Sequence, residues 1–268
     1  MTYPGGKNGS GVYQQIINRI PPHKVYVEPF LGSGAILRMK RPAAINIAID
    51  IDPEITEKGP GIHTPNLTMR TGDALIFLSR TLFSGDTFIY CDPPYLMDSR
   101  SCRKKIYAFE FSDIDHGNLL NIIKSLPCMV MISGYPNAIY DAALSGWWTA
   151  TYQTTTRRGK LVTEKLWMNY APPIRLHDYR YLGNNFRERE RIKRKKDRWT
   201  SRLLSMPDLE RSALAAAIAG IDEPCSYRQI ERAAPVPIAK KIDTSGEAPT
   251  SRNANFDDKR SAITVPPR

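Results

Sequence analysis

Five short apolar runs alternate with amphipathic segments along the chain, and this alternation restricts the fold more than any other feature of the sequence. The runs predict strands at residues 25–30, 44–52, 67–73, 86–92 and 128–135. The segments around them predict helices at residues 12–20, 34–41, 74–82, 113–126 and 138–144. Because a strand without a polar face is buried on both sides, the pattern predicts an α/β fold whose parallel sheet carries helices on both faces.

Two β-rich segments follow this alternation and break it. Residues 148–157 and 164–171 are rich in threonine, tryptophan and tyrosine and are joined by a short connection. Such a pair favours an antiparallel hairpin at one edge of the sheet. The expected sheet therefore has seven strands, mostly parallel, with an antiparallel edge hairpin.

The remainder of the chain has a different composition. Residues 175–202 hold 11 lysines and arginines against four acidic residues, in a protein of net charge +11. Helix-forming residues continue from this block, and Gly220 is expected to end the helical region. The last segment is poor in large apolar residues, which favours disorder. The sequence thus predicts a core domain over residues 1–172, a basic helical extension over 173–220 and a disordered tail over 221–268.

Glycine and acidic residues stand at the carboxyl ends of the first three predicted strands. Gly32 and Gly34 follow the first strand, Asp50 lies at the end of the second and Asp73 at the end of the third. Open α/β sheets bind ligands at this edge, where carboxylates can accept hydrogen bonds from a ribose diol or an adenine amino group. Leu37 occupies the position at which the dinucleotide fingerprint needs glycine. The combination predicts a ligand that contains adenosine.

The fourth strand ends in Asp92-Pro93-Pro94-Tyr95. The Asp92 carboxylate can accept a hydrogen bond from an exocyclic amino group. The neighbouring carbonyls can accept as well, because proline has no N–H with which to pair them locally. The Tyr95 ring offers a face on which a base can stack. This tetrapeptide predicts a receptor for a planar amine that has been taken out of a base stack.

The motifs TYPGGK (2–7), EPFLGSG (28–34), DID (50–52), GD (72–73) and DPPY (92–95) resemble, in this order, those of the Dam-like S-adenosylmethionine-dependent DNA adenine-N6 methyltransferases. FSDIDHGNLL, VMISGY and TEKLWMNY are also similar to this class, so the resemblance covers about residues 2–171. It implies a Rossmann-like methyltransferase fold, S-adenosylmethionine as the cofactor and DNA as the partner. The implied cofactor-binding residues are Tyr3, Lys7, Glu28, Phe30, Gly32, Gly34, Asp50 and Asp73.

The resemblance also implies individual roles. Tyr3 and Lys7 would meet the methionine carboxylate of the cofactor, Asp50 the ribose and Asp73 the adenine. The catalytic residues would be Asp92, Pro93, Pro94 and Tyr95, which would hold the flipped target base. Acceptors around its amino group favour a pyramidal, nucleophilic nitrogen in line with the methyl group. No covalent enzyme intermediate and no cysteine nucleophile are required.

One departure from the family concerns how the target sequence is read. Dam-like enzymes carry a target-recognition domain before the DPPY motif, whereas only residues 74–91 stand there in this chain. The basic loop 96–111 and the block 175–199 are the two candidates for this task. The predicted nucleic-acid contacts are Arg103, Lys104, Lys105, Arg157, Arg158, Lys160, Arg191, Lys193, Arg194, Lys195 and Lys196. For the hairpin tip and the basic block, the alternatives are simple solubility and a solvated helix with i,i+4 ion pairs.

Other functions stay open at this point. The same chemistry could act on cytosine N4, RNA adenine or a protein amide, although aspartate at position 92 favours adenine. A non-catalytic DNA-binding module on a methyltransferase fold is the alternative from another class.

The histidines and cysteines show no metal-ligand spacing, so no metal is expected. Unpaired cysteines and the lack of a signal peptide or membrane span favour the cytoplasm, and the compact core suggests a phage or prophage setting. Nothing points to a partner restriction nuclease.

Overall fold

The computed structural model describes residues 6–9, 11–58, 61–100, 107–156 and 159–222. Its strands are β1 (Val25–Glu28), β2 (Ile45–Asp50), β3 (Leu67–Thr71), β4 (Thr87–Cys91), β5 (Met129–Gly134), β6 (Trp148–Thr155) and β7 (Leu161–Met168). Its helices are α1 (Val12–Ile17), α2 (Ala35–Met39), α3 (Pro53–Lys58), α4 (Ala74–Arg80), α5 (Asp113–Ser125), α6 (Ala138–Ala143), α7 (Phe186–Leu204) and α8 (Asp208–Asp222). A 3₁₀ turn at Met97–Ser99 follows β4.

The seven strands form one sheet in the order β3-β2-β1-β4-β5-β7-β6. β7 is antiparallel to both β5 and β6, while the pairs among the first five strands are parallel. The order β3-β2-β1-β4-β5 is that of a Rossmann-like sheet, in which ligands bind where the strand order reverses, here between β1 and β4. The predicted α/β fold with an antiparallel edge hairpin is therefore confirmed.

Both faces of the sheet are covered by helices. All five residues of β4 are buried, and their side chains alternate between two apolar clusters. Phe88 and Tyr90 belong to the cluster that also contains residues of α1 and α2. Ile89 and Cys91 belong to the cluster that contains residues of α4, α5 and α6. This explains why the strand lacks a polar face.

Two helical features differ from the sequence-based expectation. α3 was not predicted, because its sequence PEITEK is short and mostly polar. Gly220 was expected to end the C-terminal helical region, but α8 continues through it to Asp222. A glycine inside a helix costs about 1 kcal/mol relative to alanine. The alanine-rich run before Gly220 has a high helix propensity, which offsets this cost.

The segment that follows β7 stays attached to the core. Asn18, just after α1, donates its side-chain N–H groups to the carbonyls of Tyr181 at 2.6 Å and Gly183 at 3.2 Å. Asp178 accepts a hydrogen bond from the backbone N–H of Arg41 at 2.8 Å. The compact unit that contains the sheet accordingly runs to Ser205, beyond the predicted boundary at residue 172.

A second compact unit begins at Met206. Its described part is α8 and the residues that lead into it, with an ion pair between Arg211 and Asp208 in the first turn. The predicted disordered tail, apart from its first two residues, lies outside the described residues. No helix in the described part of the chain has the length and apolar character needed to cross a membrane.

Candidate active site

A cleft of about 1130 Å³, including its open mouth, lies at the carboxyl ends of the parallel strands. One part is lined by the loop between β1 and α2 together with the ends of β2 and β3. The other part is lined by Asp92, Pro93 and Pro94 after β4 and by residues 107–111. The predicted site residues in its lining are Lys7, Glu28, Phe30, Gly32, Asp50, Asp73, Asp92, Pro93 and Pro94. The strand ends therefore bring the predicted cofactor and base-binding motifs into one cleft.

Asp50 anchors the glycine loop. Its Oδ2 accepts the backbone N–H of Gly32 at 2.8 Å, and its Oδ1 accepts that of Asp52 at 3.0 Å. Gly32 has a φ of 49°, which favours glycine. Burial raises the pKa of Asp50, and the two backbone hydrogen bonds oppose that rise. A carboxylate oxygen has room for a second hydrogen bond, so Asp50 can hold the loop and still accept from a ligand.

Gly34 was expected to line the cofactor site, but it does not line the cleft. Its φ is 59°, and it is the N-cap residue of α2. A Cβ atom at this position would lie 2.5 Å from Cδ1 of Ile62 and 3.1 Å from a methyl group of Leu31. Gly34 is thus required for the turn into α2 and for its packing.

Glu28 is buried at the end of β1 and fixes the start of α2. Its Oε2 accepts the hydroxyl of Tyr26 at 2.7 Å and the backbone N–H of Leu37 at 3.1 Å. Burial raises the pKa of Glu28 to about 8, although both hydrogen bonds favour the ionised form. Phe30, two residues later, packs edge-on against Phe111 at 5.6 Å between ring centroids and so joins the two parts of the cleft.

Asp73 serves as the N-cap of α4. Its Oδ1 accepts the backbone N–H groups of Leu75 at 2.7 Å and Ile76 at 3.0 Å. Its Oδ2 has no partner among the residues that the structure describes. Asp52, which also lines the cleft, was not among the predicted site residues. It follows Asp50 in the same DID motif, so the sequence did contain a signal for it.

Asp92 is held through one of its two carboxylate oxygens. Ser133 of β5 donates its hydroxyl to Oδ1 at 2.7 Å, and the ammonium of Lys7 lies 2.9 Å from the same atom. Within the described residues, Oδ2 has no partner. Burial raises the pKa of Asp92, the charge of Lys7 lowers it, and the carboxylate of Glu164 raises it. The site therefore fixes the orientation of the carboxylate and leaves one oxygen for a substrate.

Lys7 was expected to meet the methionine carboxylate of the cofactor together with Tyr3, which lies outside the described residues. The side chain of Lys7 is instead engaged at the DPPY motif. Its Nζ lies 2.9 Å from Asp92 and 3.3 Å from Oε2 of Glu164, and it donates to the hydroxyl of Tyr95. Burial alone would lower the pKa of Lys7, but the two carboxylates raise it well above its ordinary value.

Tyr95 was expected to offer a free face to the target base, but its ring is packed inside the protein. It is 6 % exposed and lies edge-on against Tyr135, with ring centroids 4.6 Å apart. It is also absent from the cleft lining, and its hydroxyl accepts a hydrogen bond from Lys7. The aromatic rings that do line the cleft are those of Tyr107, Phe109 and Phe111, together with Phe30.

Arg100 and Glu110 bracket the loop beside the DPPY motif. The guanidinium of Arg100 lies 2.6 Å from Oε2 of Glu110, and its Nε donates to the carbonyl of Tyr95 at 2.7 Å. Glu110 also accepts the backbone N–H of Tyr107 at 3.0 Å. This ion pair ties the aromatic wall of the cleft to the backbone of the DPPY motif.

Sequence reasoning did not single out Ser133, Glu164, Arg100 or Glu110. Ser133 and Glu164 lie in VMISGY and TEKLWMNY, two segments that resemble the family without implying a role for any one residue. Glu164 accepts the hydroxyl of Tyr152 at 2.7 Å, across the hairpin. These segments were thus the available signal, and only the fold connects them to Asp92.

The predicted nucleic-acid contacts that the structure describes lie on the β6–β7 hairpin and on α7. Lys160 is exposed beside the tip of the β6–β7 hairpin. Arg191, Lys193, Arg194, Lys195 and Lys196 are exposed on α7. Arg103, Lys104, Lys105, Arg157 and Arg158 lie outside the described residues. Where the chain is described, no group of three or more histidine, cysteine, aspartate or glutamate side chains is arranged to bind a metal.

No protein-family model and no curated protein matches this sequence. Among solved structures, the chain is similar to a putative RNA methyltransferase from Pyrococcus horikoshii, with 12 % identity over 59 % of this chain and 81 % of that chain and a TM-score of 0.41. A dimethyladenosine transferase from Plasmodium falciparum is 13 % identical over 62 % of this chain and 63 % of that chain, with a TM-score of 0.39. Magnesium protoporphyrin IX methyltransferase from Synechocystis PCC 6803, with S-adenosylmethionine bound, is 13 % identical over 60 % of this chain and 76 % of that chain, with a TM-score of 0.39. Likeness of this size carries neither substrate nor cofactor from one chain to another.

Proposed function

We propose that the protein transfers a methyl group from S-adenosylmethionine to the N6 amino group of adenine in DNA, with the base turned out of the duplex. The observation that carries this proposal is the environment of Asp92. Lys7 and Ser133 both bind Oδ1, which leaves Oδ2 as an acceptor in a cleft shared with the glycine loop and the strand-end acids. That arrangement suits a planar amine that must approach a cofactor.

The cleft has the acceptors that S-adenosylmethionine needs. Asp50 and Asp73 retain hydrogen-bonding capacity for ribose hydroxyls and an adenine amino group, and Gly32 lets the backbone approach the ligand. Asp52 and Asp92 also line the cleft. The aspartates of the lining outnumber the single ammonium contributed by Lys7, which favours a cationic ligand. When bound, S-adenosylmethionine supplies a methyl group attached to a positively charged sulfur, which is a good leaving group.

The residues of the chain then make the amine reactive. Asp92 Oδ2 and the carbonyl of Pro93 accept hydrogen bonds from the two N–H groups of the target amine, which directs the nitrogen lone pair out of conjugation with the ring. Once methylated, the nitrogen releases one proton, which Asp92 Oδ2 accepts and passes to water. Lys7 and Ser133 prevent the carboxylate from rotating, so the acceptor is fixed before the substrate arrives. Tyr107, Phe109 and Phe111 provide aromatic surface for the base in place of Tyr95.

Methyl transfer from labelled S-adenosylmethionine tests the proposal. The full chain is incubated with genomic DNA, total RNA and a protein extract, and the nucleosides are separated afterwards. We expect label in 6-methyladenine from DNA. Label in N4-methylcytosine, RNA or protein would instead support the alternative substrates. No label in any of them would favour a non-catalytic DNA-binding module.

Asp92→Asn is the matched control because it keeps the shape of the side chain. We expect this variant to lose methyl transfer by at least about 100-fold while it binds S-adenosylmethionine with nearly unchanged affinity in calorimetry. Full activity in the variant would rule out the role of Asp92.

A further inference from the structure

The arginines of α7 are not distributed evenly around the helix. Arg187, Arg191, Arg194, Arg198 and Arg202 follow one another at intervals of four, three, four and four residues. At 3.6 residues per turn they fall within an arc of about 80° and extend over about 22 Å of helix. We call this set the arginine stripe. Three of its members, Arg187, Arg198 and Arg202, were not among the predicted nucleic-acid contacts.

Most of the other charged residues of α7 lie away from this face; the exception is Lys195, which lies about 60° from the centre of the stripe. Lys193 and Lys196 lie on the opposite side of the helix, and Glu190 and Asp197 lie at about 90° from the centre of the stripe. Every member of the arginine stripe is exposed. Among the described residues, the ion pair found for the stripe is that of Arg191 with Glu188, at 3.8 Å. The guanidinium groups are therefore largely available to an external partner.

The helix is presented rigidly by the core at its N-terminal end. Asn185 caps it by accepting the backbone N–H of Glu188 at 2.9 Å. Gly183, with a φ of 132°, brings the preceding chain so close that a Cβ atom there would lie 2.8 Å from the backbone nitrogen of Arg189. Asn18 holds the carbonyl of Gly183 against α1. From Lys193 to Thr200 every residue is exposed.

We infer that the arginine stripe is the surface on which duplex DNA docks. This inference deepens the proposed function, since it names the surface that meets the substrate. A straight helix fits the major groove of B-form DNA, which is about 12 Å wide, whereas the major groove of A-form RNA is too narrow for it. Guanidinium groups repeat about every turn along the stripe and form bidentate contacts with phosphates or guanine edges. Single strands offer no groove for such a helix.

The chain contains a matched control for this inference. Arg194→Ala/Arg198→Ala removes two exposed charges from the stripe, and Lys193→Ala/Lys196→Ala removes two from the opposite face. Affinity for a 30-base-pair duplex is measured by fluorescence anisotropy over a range of salt concentrations, with the full chain. We expect the stripe variant to bind about 100-fold more weakly and its slope of log K against log salt to be smaller by about 1.8. The control should change affinity by less than about threefold, which would show that Lys193 and Lys196, two of the nucleic-acid contacts predicted from the sequence, do not meet the duplex.

Equal losses of affinity in the two variants would overturn the inference, because binding would then depend on the total charge of α7 and not on the side of the helix that carries it. Equal or tighter binding of single-stranded DNA or double-stranded RNA to the unchanged protein would overturn it as well. Circular dichroism establishes that both variants keep the helix. Binding is measured without methyl transfer, so the two tests can fail separately. Absence of methyl transfer would refute the proposed function but would not affect the conclusion about DNA binding by the arginine stripe.

Discussion

The ammonium of Lys7 lies 2.9 Å from Oδ1 of Asp92 and 3.3 Å from Oε2 of Glu164. Lys7 precedes α1, Asp92 follows β4 and Glu164 is on β7, so three distant parts of the chain meet at one buried charge. The two neighbours act on Asp92 in opposite directions: Lys7 lowers the pKa that burial has raised, and Glu164 raises it. Neutralising each neighbour in turn should therefore move the titration of Asp92 in opposite directions.

The first prediction concerns Lys7→Gln. Without the ammonium, the pKa of Asp92 rises further, because burial is no longer opposed by a nearby positive charge. We expect kcat to fall by at least about tenfold near neutral pH and the acidic limb of its pH profile to move to higher pH. Single-turnover methyl transfer across the pH range measures this shift.

Lys24→Gln is the control for Lys7→Gln. Lys24 also pairs with an aspartate, Asp86 at 3.1 Å, but its side chain is 79 % exposed. The loss of such a surface pair should leave both the stability and the pH profile nearly unchanged. An acidic limb that stays in place in Lys7→Gln would show that the ammonium does not control Asp92.

The second prediction concerns Glu164→Gln. This variant removes a negative charge and keeps the hydrogen bond from Tyr152. The charge of Lys7 then acts on Asp92 alone, so the pKa of Asp92 falls and the acidic limb of kcat moves to lower pH. Tyr152→Phe removes the hydroxyl that binds Glu164 but leaves its charge, and it should not produce this shift. Shifts of the same sign in Lys7→Gln and Glu164→Gln would contradict the arrangement.

These residues show which parts of the site the sequence could predict. Asp50, Asp73 and Asp92 stand at the ends of recognisable strands, so strand pattern and sheet topology together bring them to one edge. The contact between Lys7 and Asp92 has no local pattern, since the two residues are 85 positions apart in the sequence and meet only in the folded protein. The packing of Tyr95 against Tyr135 likewise depends on β5, which is a neighbour of β4 only in the folded protein.

The fold was more predictable than the site because its elements carry their own signals. The apolar runs of β1, β2, β4 and β5 and the helix-compatible segments between them determine a parallel sheet before any distant contact is known. α3 was missed because PEITEK has few apolar residues to define a buried face. The continuation of α8 through Gly220 was missed because glycine weakens a helix without necessarily ending it.

The third prediction concerns Gly34→Ala. An alanine there must adopt a left-handed conformation, which costs about 1–2 kcal/mol, and its Cβ would meet Cδ1 of Ile62 at 2.5 Å. We expect a loss of about 2–3 kcal/mol in the free energy of unfolding, measured in urea.

Ile62→Val removes Cδ1, so the double variant should recover part of this loss. Gly117→Ala, in α5 with nothing within 4 Å of its Cβ, should be neutral or stabilising. A neutral Gly34→Ala would show that the turn into α2 does not require glycine.

The last prediction concerns the pH dependence that Glu28 contributes to stability. Its pKa is about 8 in the folded protein, against an ordinary value of 4.5. Between these values the folded protein keeps a proton that the unfolded chain has released, so the contribution of Glu28 to stability decreases as pH rises. Glu28→Gln imitates the protonated form and can still accept from Tyr26 and Leu37. We expect its stability relative to the unchanged protein to increase from pH 5 to pH 6, by at most about 1.4 kcal/mol.

Urea unfolding of both proteins at several pH values in this range measures the difference. The buried histidines His23 and His116 titrate in the unfolded chain within the same range, since burial lowers their pKa values in the folded protein to about 3 and about 4. They contribute equally to both proteins and cancel in the difference. Lys40, which has a pKa of about 7 in the folded protein, limits the comparison to values below that pH. A difference that does not change with pH would mean that Glu28 is already ionised in the folded protein, and that its hydrogen bonds outweigh its burial.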